Sequence, residues 1–269
     1  MTWMMAASLA VVGCGVGFLA GLLGVGGGLI MIPFLIFALE QQEVATDLAV
    51  KMAIATAMST IVFTSISSIR SHHQRGAIGW PLVKGFAPGI LLGSALSSLW
   101  IFAALKGSTL ALIFCLFAVF TSVQIFLDRK PKPSRQVPGS LGLLLMGTPI
   151  GLVSGLVGAG GAFMSVPFML WCNVPIHRAV ATSAALGLPI ALANVVGYVI
   201  SGQQIDAHVP GAVGYLWLPG LVAVASFSVL TAPLGARAAH KLPVKKFKKV
   251  FASFLLVLAA QMLFKVVLR

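Results

Sequence analysis

Apolar residues run almost unbroken through eight segments of this chain, near 3–39, 48–69, 81–104, 109–127, 139–171, 179–200, 211–235 and 250–267, with short polar stretches between them. A run of about 20 apolar residues coils into a helix long enough to cross about 30 Å of hydrocarbon. None of the segments alternates with the period of two that a membrane barrel strand requires. The pattern predicts an all-α polytopic membrane protein. Segments 3–39 and 139–171 are too long for one crossing, and each has room for two short crossings or for one crossing plus a re-entrant element.

Those two long segments carry the same motif. GFLAGLLGVGGGLIMIPF at 17–34 and GLVSGLVGAGGAFMSVPF at 151–168 lie 134 residues apart and are identical at 8 of 18 aligned positions. Successive glycines weaken a helix and permit positive φ, and a proline lacks the backbone donor that a continuous helix uses. Each motif therefore predicts a turn or unwound stretch within apolar sequence, as in transporters built from two related halves with interrupted helices at the substrate site. The linker DRKPKPSRQVPGS combines charge, proline and glycine, and we divide the chain into a first repeat, 1–138, which includes the connecting residues 128–138, and a second, 139–269.

Charge decides how often the long segments cross, because loops on the cytoplasmic side carry an excess of Lys and Arg. Single crossings give eight spans, four in each half, and divide the 18 basic residues 9 to 9. An even number of crossings collects 14 of them on one side, among them Arg70, Arg75, Lys84, Arg135 and Arg178, and leaves Lys51, Lys106, Lys265 and Arg269 on the other. The even count is the expected one. It gives each half about five membrane segments, and an odd number per half makes the halves inverted-topology repeats. Both termini then lie outside the cell, and the basic loops 70–80, 128–138 and 236–249 lie in the cytoplasm.

Composition supports the membrane reading: 59% of the 269 residues are apolar and only 9% charged, too little polar surface for a soluble domain of this size. The net charge of +13 sits in short loops and not along one aromatic-studded face, so nucleic acid is not expected as a partner. Cys14, Cys115 and Cys172 are scattered without metal-ligand spacing and read as packing residues. Neither a metal nor another cofactor is expected.

An unwound segment followed by a helix start presents free N–H groups and the positive end of a helix dipole, which together suit an anion. The candidate cradles are Gly24, Gly26, Gly27 and Gly28, followed by Pro33, and Gly158, Gly160, Gly161 and Ala162, followed by Pro167. Inverted symmetry would bring them face to face. A tight interhelical hairpin without ligand is the alternative. In the helix after the second break, Thr182 and Ser183 offer hydroxyls near its start and Asn194 a polar group three turns on, either for a polar path or for interhelical bonding. Lys51 lies in the first turns of an apolar helix, where it either meets a translocating anion or pairs with Asp47 and snorkels to the interface. His72, His73 and Arg75, in SIRSHHQRGAIGW, are candidates for a cytoplasmic gate, against the alternative of a solvated basic loop. No Asp or Glu lies deep in an apolar span, so a carboxylate proton relay is not expected.

The two GxGG…P motifs, HHQRGAIGW, the ATS at 181–183, GYVISGQ at 197–203 and TAPLGARAAHKLPVKKFKKVF at 231–251 together resemble the TauE/SafE family of sulfite and organosulfonate exporters, over nearly the whole chain and in the expected order. The resemblance implies a bacterial inner-membrane permease for sulfur-containing anions such as sulfite or sulfoacetate, with protons as a candidate coupling ion. It also implies seven or eight spans, against the ten that the charges favour. Lys51-Met52-Ala53 stands where the second half has Ala181-Thr182-Ser183, so the two halves differ at that point. The expected partners are a small anion and the lipid bilayer, with the protein a monomer or homodimer. A passive anion channel is the nearest alternative to a secondary transporter. A membrane enzyme has no Ser/His or paired-acid constellation to work with.

Overall fold

The computed structural model describes residues 3–23, 28–127, 134–203, 209–238 and 244–267. Gly24, Gly26, Gly27 and Arg269 lie outside the described residues. The first long segment divides into α1 (Trp3–Leu23) and α2 (Gly28–Glu40), followed by α3 (Thr46–Gln74), α4 (Trp80–Ala104) and α5 (Gly107–Leu127). The second divides into α6 (Ser140–Val157) and α7 (Ala162–Trp171), followed by α8 (Ile176–Ser201), α9 (Leu218–Ala238) and α10 (Val244–Val267). Within α4, Ser97–Ile101 forms a π-helical turn.

Five of the helices, α3, α4, α5, α6 and α8, are long and apolar enough to cross a membrane. The short α2 and α7, with 13 and 10 residues, reach only about 20 and 15 Å at 1.5 Å per residue, less than the hydrocarbon thickness. Large apolar side chains such as Val11, Trp100, Leu230 and Phe264 point outward, more than 60% exposed, as on a surface solvated by lipid. The fold is that of an all-α, multi-pass membrane protein.

The segment expected near 211–235 differs from its reading at one end. Its first residues form a hairpin, β1 (Ala212–Val213) antiparallel to β2 (Leu216–Trp217), before α9 begins at Leu218. Gly214, at φ +57°, turns the hairpin. A hydropathy count passes over such a turn because its residues are as apolar as the helix that follows.

The packing of the first five helices on the last five is reciprocal. Helix α1 lies on α9 as α6 lies on α4, α3 touches α9 as α8 touches α4, and α2 leans on α3 as α7 leans on α8. The pairs α3–α8 and α5–α10 close the arrangement. Close contact is made by small residues: a Cβ on Gly13 would lie 2.8 Å from the Val224 carbonyl oxygen, and one on Gly147 2.5 Å from that of Phe86. The turns after α2 and α7 also match, with Glu43 and Asn173 at φ +62° and +61° and the amides of Val44 and Val174 donating to Leu39 and Met169 carbonyls.

Both long segments return to the end from which they start. Just ahead of α6, the amides of Ser134 and Arg135 donate to the Trp171 carbonyl at the end of α7, at 3.2 and 3.3 Å. The Trp171 indole N–H donates to Ser134 Oγ at 2.6 Å, and the Arg135 guanidinium stacks 4.6 Å from the same ring. In the first half, one cavity of about 1010 Å³ is lined by Met5 and Leu9 near the start of α1, by Phe37 and Gln42 at the end of α2, and by Leu258 and Met262 of α10.

Candidate functional site: the meeting of two glycine breaks

The second break is a turn between two helix ends. Helix α6 closes at Gly158, whose φ of +66° lets its amide fold back to the Ser154 carbonyl, and Ala159 donates to the same oxygen at 3.2 Å. Gly161, at φ +75°, then starts α7. A side chain at either position would be strained. The amides of Gly160, Gly161, Ala162 and Phe163 have no hydrogen-bond partner among the described residues, and no acid lies in the first turn of α7 to offset its positive end. Helix starts leave such donors unpaired, and a buried one is costly unless something accepts from it.

This turn lies against the start of α2. A Cβ on Gly28 would come 2.6 Å from the Gly158 carbonyl oxygen, and one on Gly158 would come 2.8 Å from Ile32 Cδ1 and 3.3 Å from the Ile54 carbonyl oxygen. The two motifs thus touch, through Gly28, where α3 is near the middle of its 29 residues. Ile61 is common to the whole arrangement. Its side chain lies 3.5 Å from the Cβ position of Gly28, 3.7 Å from that of Gly160 and 3.9 Å from that of Gly187, the last near the middle of α8. Ser154 Oγ, fully buried and without a partner among the described residues, lies 3.4 Å from the Cβ position of Gly161.

The other sequence-predicted residues fall in several places. Pro33 and Pro167 lie inside α2 and α7, each at the sixth helical position, and in the second half the chain turns at Gly158 and Gly161, ahead of Pro167. Ser183 is buried and shares a 2.8 Å hydrogen bond with Ser165 of α7, which ties the short helix to α8. Thr182 Oγ1 accepts the Gly79 amide at 2.9 Å and so anchors the start of α4. Asn194 is fully buried one turn before the break, beside Gly155 and Ser97.

Lys51 is 9% exposed and donates from Nζ to the Ala103 carbonyl at 3.0 Å, with the Tyr215 ring 5.5 Å away. Asp47, four residues earlier, accepts the Ser108 amide at 3.0 Å and caps the start of α5. Together they fasten the α4–α5 turn. His73 and Arg75 are exposed and His72 half-buried at the end of α3, where His73 Nδ1 accepts from the Trp80 indole at 3.4 Å. At the same end of the molecule, burial pushes the Cys172 thiol up against the opposing pull of Arg135, so it stays protonated. Sequence reasoning missed Ile61, Ser154 and Ser165. Ser154 sits inside the repeated motif at a position where the first half has Ala20, and that difference was the available signal.

Comparison with known proteins points to a family of membrane transporters. The family model described as "Sulfite exporter TauE/SafE" matches residues 9–262. A protein of Haemophilus influenzae named "Probable membrane transporter protein" is 34% identical over 255 residues, covering 94% of this chain and 96% of that one. Proteins of the same description from Methanocaldococcus jannaschii and Bacillus subtilis are 25% and 24% identical over 256 and 282 residues, covering 95% and 96% of this chain and 94% and 97% of theirs. No solved structure matches. The chain, with its paired glycine motifs and several long apolar helices among the described residues, belongs to the TauE/SafE family of membrane transporters.

Proposed function

We propose that this protein is a secondary transporter that exports a small anion, a sulfur oxyanion or organosulfonate such as sulfite or sulfoacetate, across the bacterial cytoplasmic membrane by alternating access. The observation that carries the reading is the contact of Gly28 with Gly158 beside the unpaired amides of Gly160 to Phe163. A buried row of N–H donors at a helix start favours negative charge, and the oxygens of a sulfite or sulfonate group are acceptors without a donor of their own. In this reading Gly158, Gly160, Gly161 and Ala162 form one wall of the site, Gly28 the other, and Ser154 adds a hydroxyl.

The reciprocal packing of the two halves supports a division near the 128–138 linker. The return of each long segment to its starting end supports the even count, with about five membrane segments in each half, α2 and α7 folding back as short re-entrant helices, and with it inverted repeats and both termini outside. Rocking of one half against the other would expose the shared contact to each side in turn.

Countertransport in sealed vesicles tests the reading. Vesicles preloaded with unlabelled sulfite should take up labelled sulfite several-fold faster than empty ones, and sulfoacetate should compete. Uptake that rises linearly with concentration and ignores the preload would mean a passive channel instead.

A further inference from the structure

One turn before the break, a second group of polar atoms has no role in the anion site. Ser94, Ser97 and Asn194 are each 0% exposed, and Ser94 Oγ, Ser97 Oγ and Asn194 Oδ1 have no hydrogen-bond partner among the described residues. They come from different helices, the two serines from α4 and the asparagine from α8, and converge on α6. A Cβ on Gly155 would collide with Asn194 Oδ1 and lie 2.5 Å from Ser97 Oγ, so the two oxygens share the space which that glycine's missing side chain leaves. Ser94 Oγ lies 2.9 Å from the Cβ position of Gly151, one turn earlier on the same face of α6. The Asn194 amide is oriented, because its Nδ2 donates to the Ile190 carbonyl at 2.8 Å and leaves Oδ1 facing the gap.

Three further features give this gap a sign. Gly155 and the residues after it are the last turn of α6, where carbonyls accumulate the negative end of the helix dipole, and no basic residue lies in that turn to offset it. The π-helical turn of α4 begins at Ser97, and π turns re-aim backbone carbonyls at functional sites. The atoms nearest the Cβ positions of Gly151 and Gly155 belong to Ile90, Ser94, Ser97 and Asn194, none of them a cation. The Gly155 carbonyl is already engaged by the Tyr198 hydroxyl, which holds α8 against α6 beside it. Neutral oxygens aimed into a small buried gap at a helix C-terminus are the ligand chemistry of an alkali cation.

We infer that Asn194 Oδ1, Ser97 Oγ and Ser94 Oγ, beside the C-terminal end of α6, form a binding site for a monovalent cation of the size of Na⁺. The site stands on residues other than the donors assigned to the anion, and α6 and α8 connect the two. Helix α6 ends in carbonyls on the cation side of the break, and α7 begins in amides on the anion side. Among the described residues, the set beside the first break is not the same: Thr231 Oγ1 of α9 donates to the Cys14 carbonyl, at 2.9 Å, and Thr64 Oγ1 of α3 to that of Ile61, at 3.3 Å, while Ser228 Oγ of α9 is likewise buried without a partner.

Thermal unfolding of the purified full-length protein in NaCl and in choline chloride, at equal ionic strength and without any anion substrate, tests the inference. Na⁺ is expected to raise Tm in a saturable way, since a ligand that binds only the native state stabilises it. Ser97→Ala should lower the apparent Na⁺ affinity by about tenfold or more, as loss of one ligand does. Asn194→Asp, which keeps the oxygen and adds charge, should retain the Na⁺ response, and Asn194→Leu should abolish it. Equal Tm in Na⁺ and choline for the wild type, or a Na⁺ response unchanged in Ser97→Ala and Asn194→Leu, would overturn the site. Because sulfite is absent, a Na⁺ response beside failed countertransport would leave this site standing and remove only the anion reading.

Discussion

Lys51 shows how a residue's surroundings decide between two roles that its sequence position leaves open. A lysine in an apolar helix serves an anion only where its ammonium points to it, and here Nζ directs one of its three N–H groups to the Ala103 carbonyl beside the Tyr215 ring. Lys51→Met removes that donor from a buried pair and should cost about 1–3 kcal/mol of stability. Thermal stabilisation by sulfite should persist in the folded variant. Its loss would return Lys51 to the anion site. Gly158 is the opposite case, where the residue type itself is the information. At φ +66° and 3.3 Å from a backbone oxygen, Gly158→Ala is strained and crowded at once. It should cost roughly 1–3 kcal/mol, with stabilisation by sulfite lost, as thermal unfolding with and without sulfite would show. The motif was legible because glycine is the residue that adopts this backbone freely. The burial of Ser154 against the break was not, because a serine in an apolar run has no local signature of what it faces.

At the scale of the elements, the division of each long segment into a long and a short helix followed from the glycines, with each proline inside the short helix that comes after. The helix starts are held by partners far away in sequence. The start of α4 depends on Thr182, 103 residues away, and that of α9 on Thr56, whose hydroxyl accepts the Trp217 amide at 3.0 Å. Thr182→Val keeps the shape and leaves the buried Gly79 amide unpaired, and should lower stability by about 1–3 kcal/mol. The reversible Thr182→Ser variant should recover most of that, measured by thermal unfolding in detergent. Sequence reading could name Thr182 as a hydroxyl in a helix, but the identity of its donor required the packing of α8 on α4. The β1–β2 hairpin was hidden for a related reason, since its residues are apolar and the turn is marked only by Gly214.

For the whole molecule, the crossing count makes a prediction that any cysteine-free background can test. Single cysteines at Gln74, Arg135 and His177 should react with a membrane-impermeant maleimide only from the cytoplasmic side. Cysteines at Gln41, Ser108 and Gln203 should react only from outside. Labelling of Arg135 and His177 from opposite sides would restore the eight-span arrangement and remove the inversion. Apolar run length, lysine and arginine placement and a duplicated Gly motif were enough for the sequence by itself to determine an all-α membrane protein, the places where its helices break and its family. Each of these is a local property, fixed by the cost of burying backbone in lipid and by the φ that glycine alone adopts freely. Only the tertiary structure decided that Gly28 meets Gly158 at Ile61, that Lys51 is engaged with a carbonyl, and that Asn194 faces two serines across a glycine. Those facts depend on which helix faces are opposed, and in an apolar chain nearly every face is able to pack, so small residues and rare polar atoms select the pairing only once the helices are assembled.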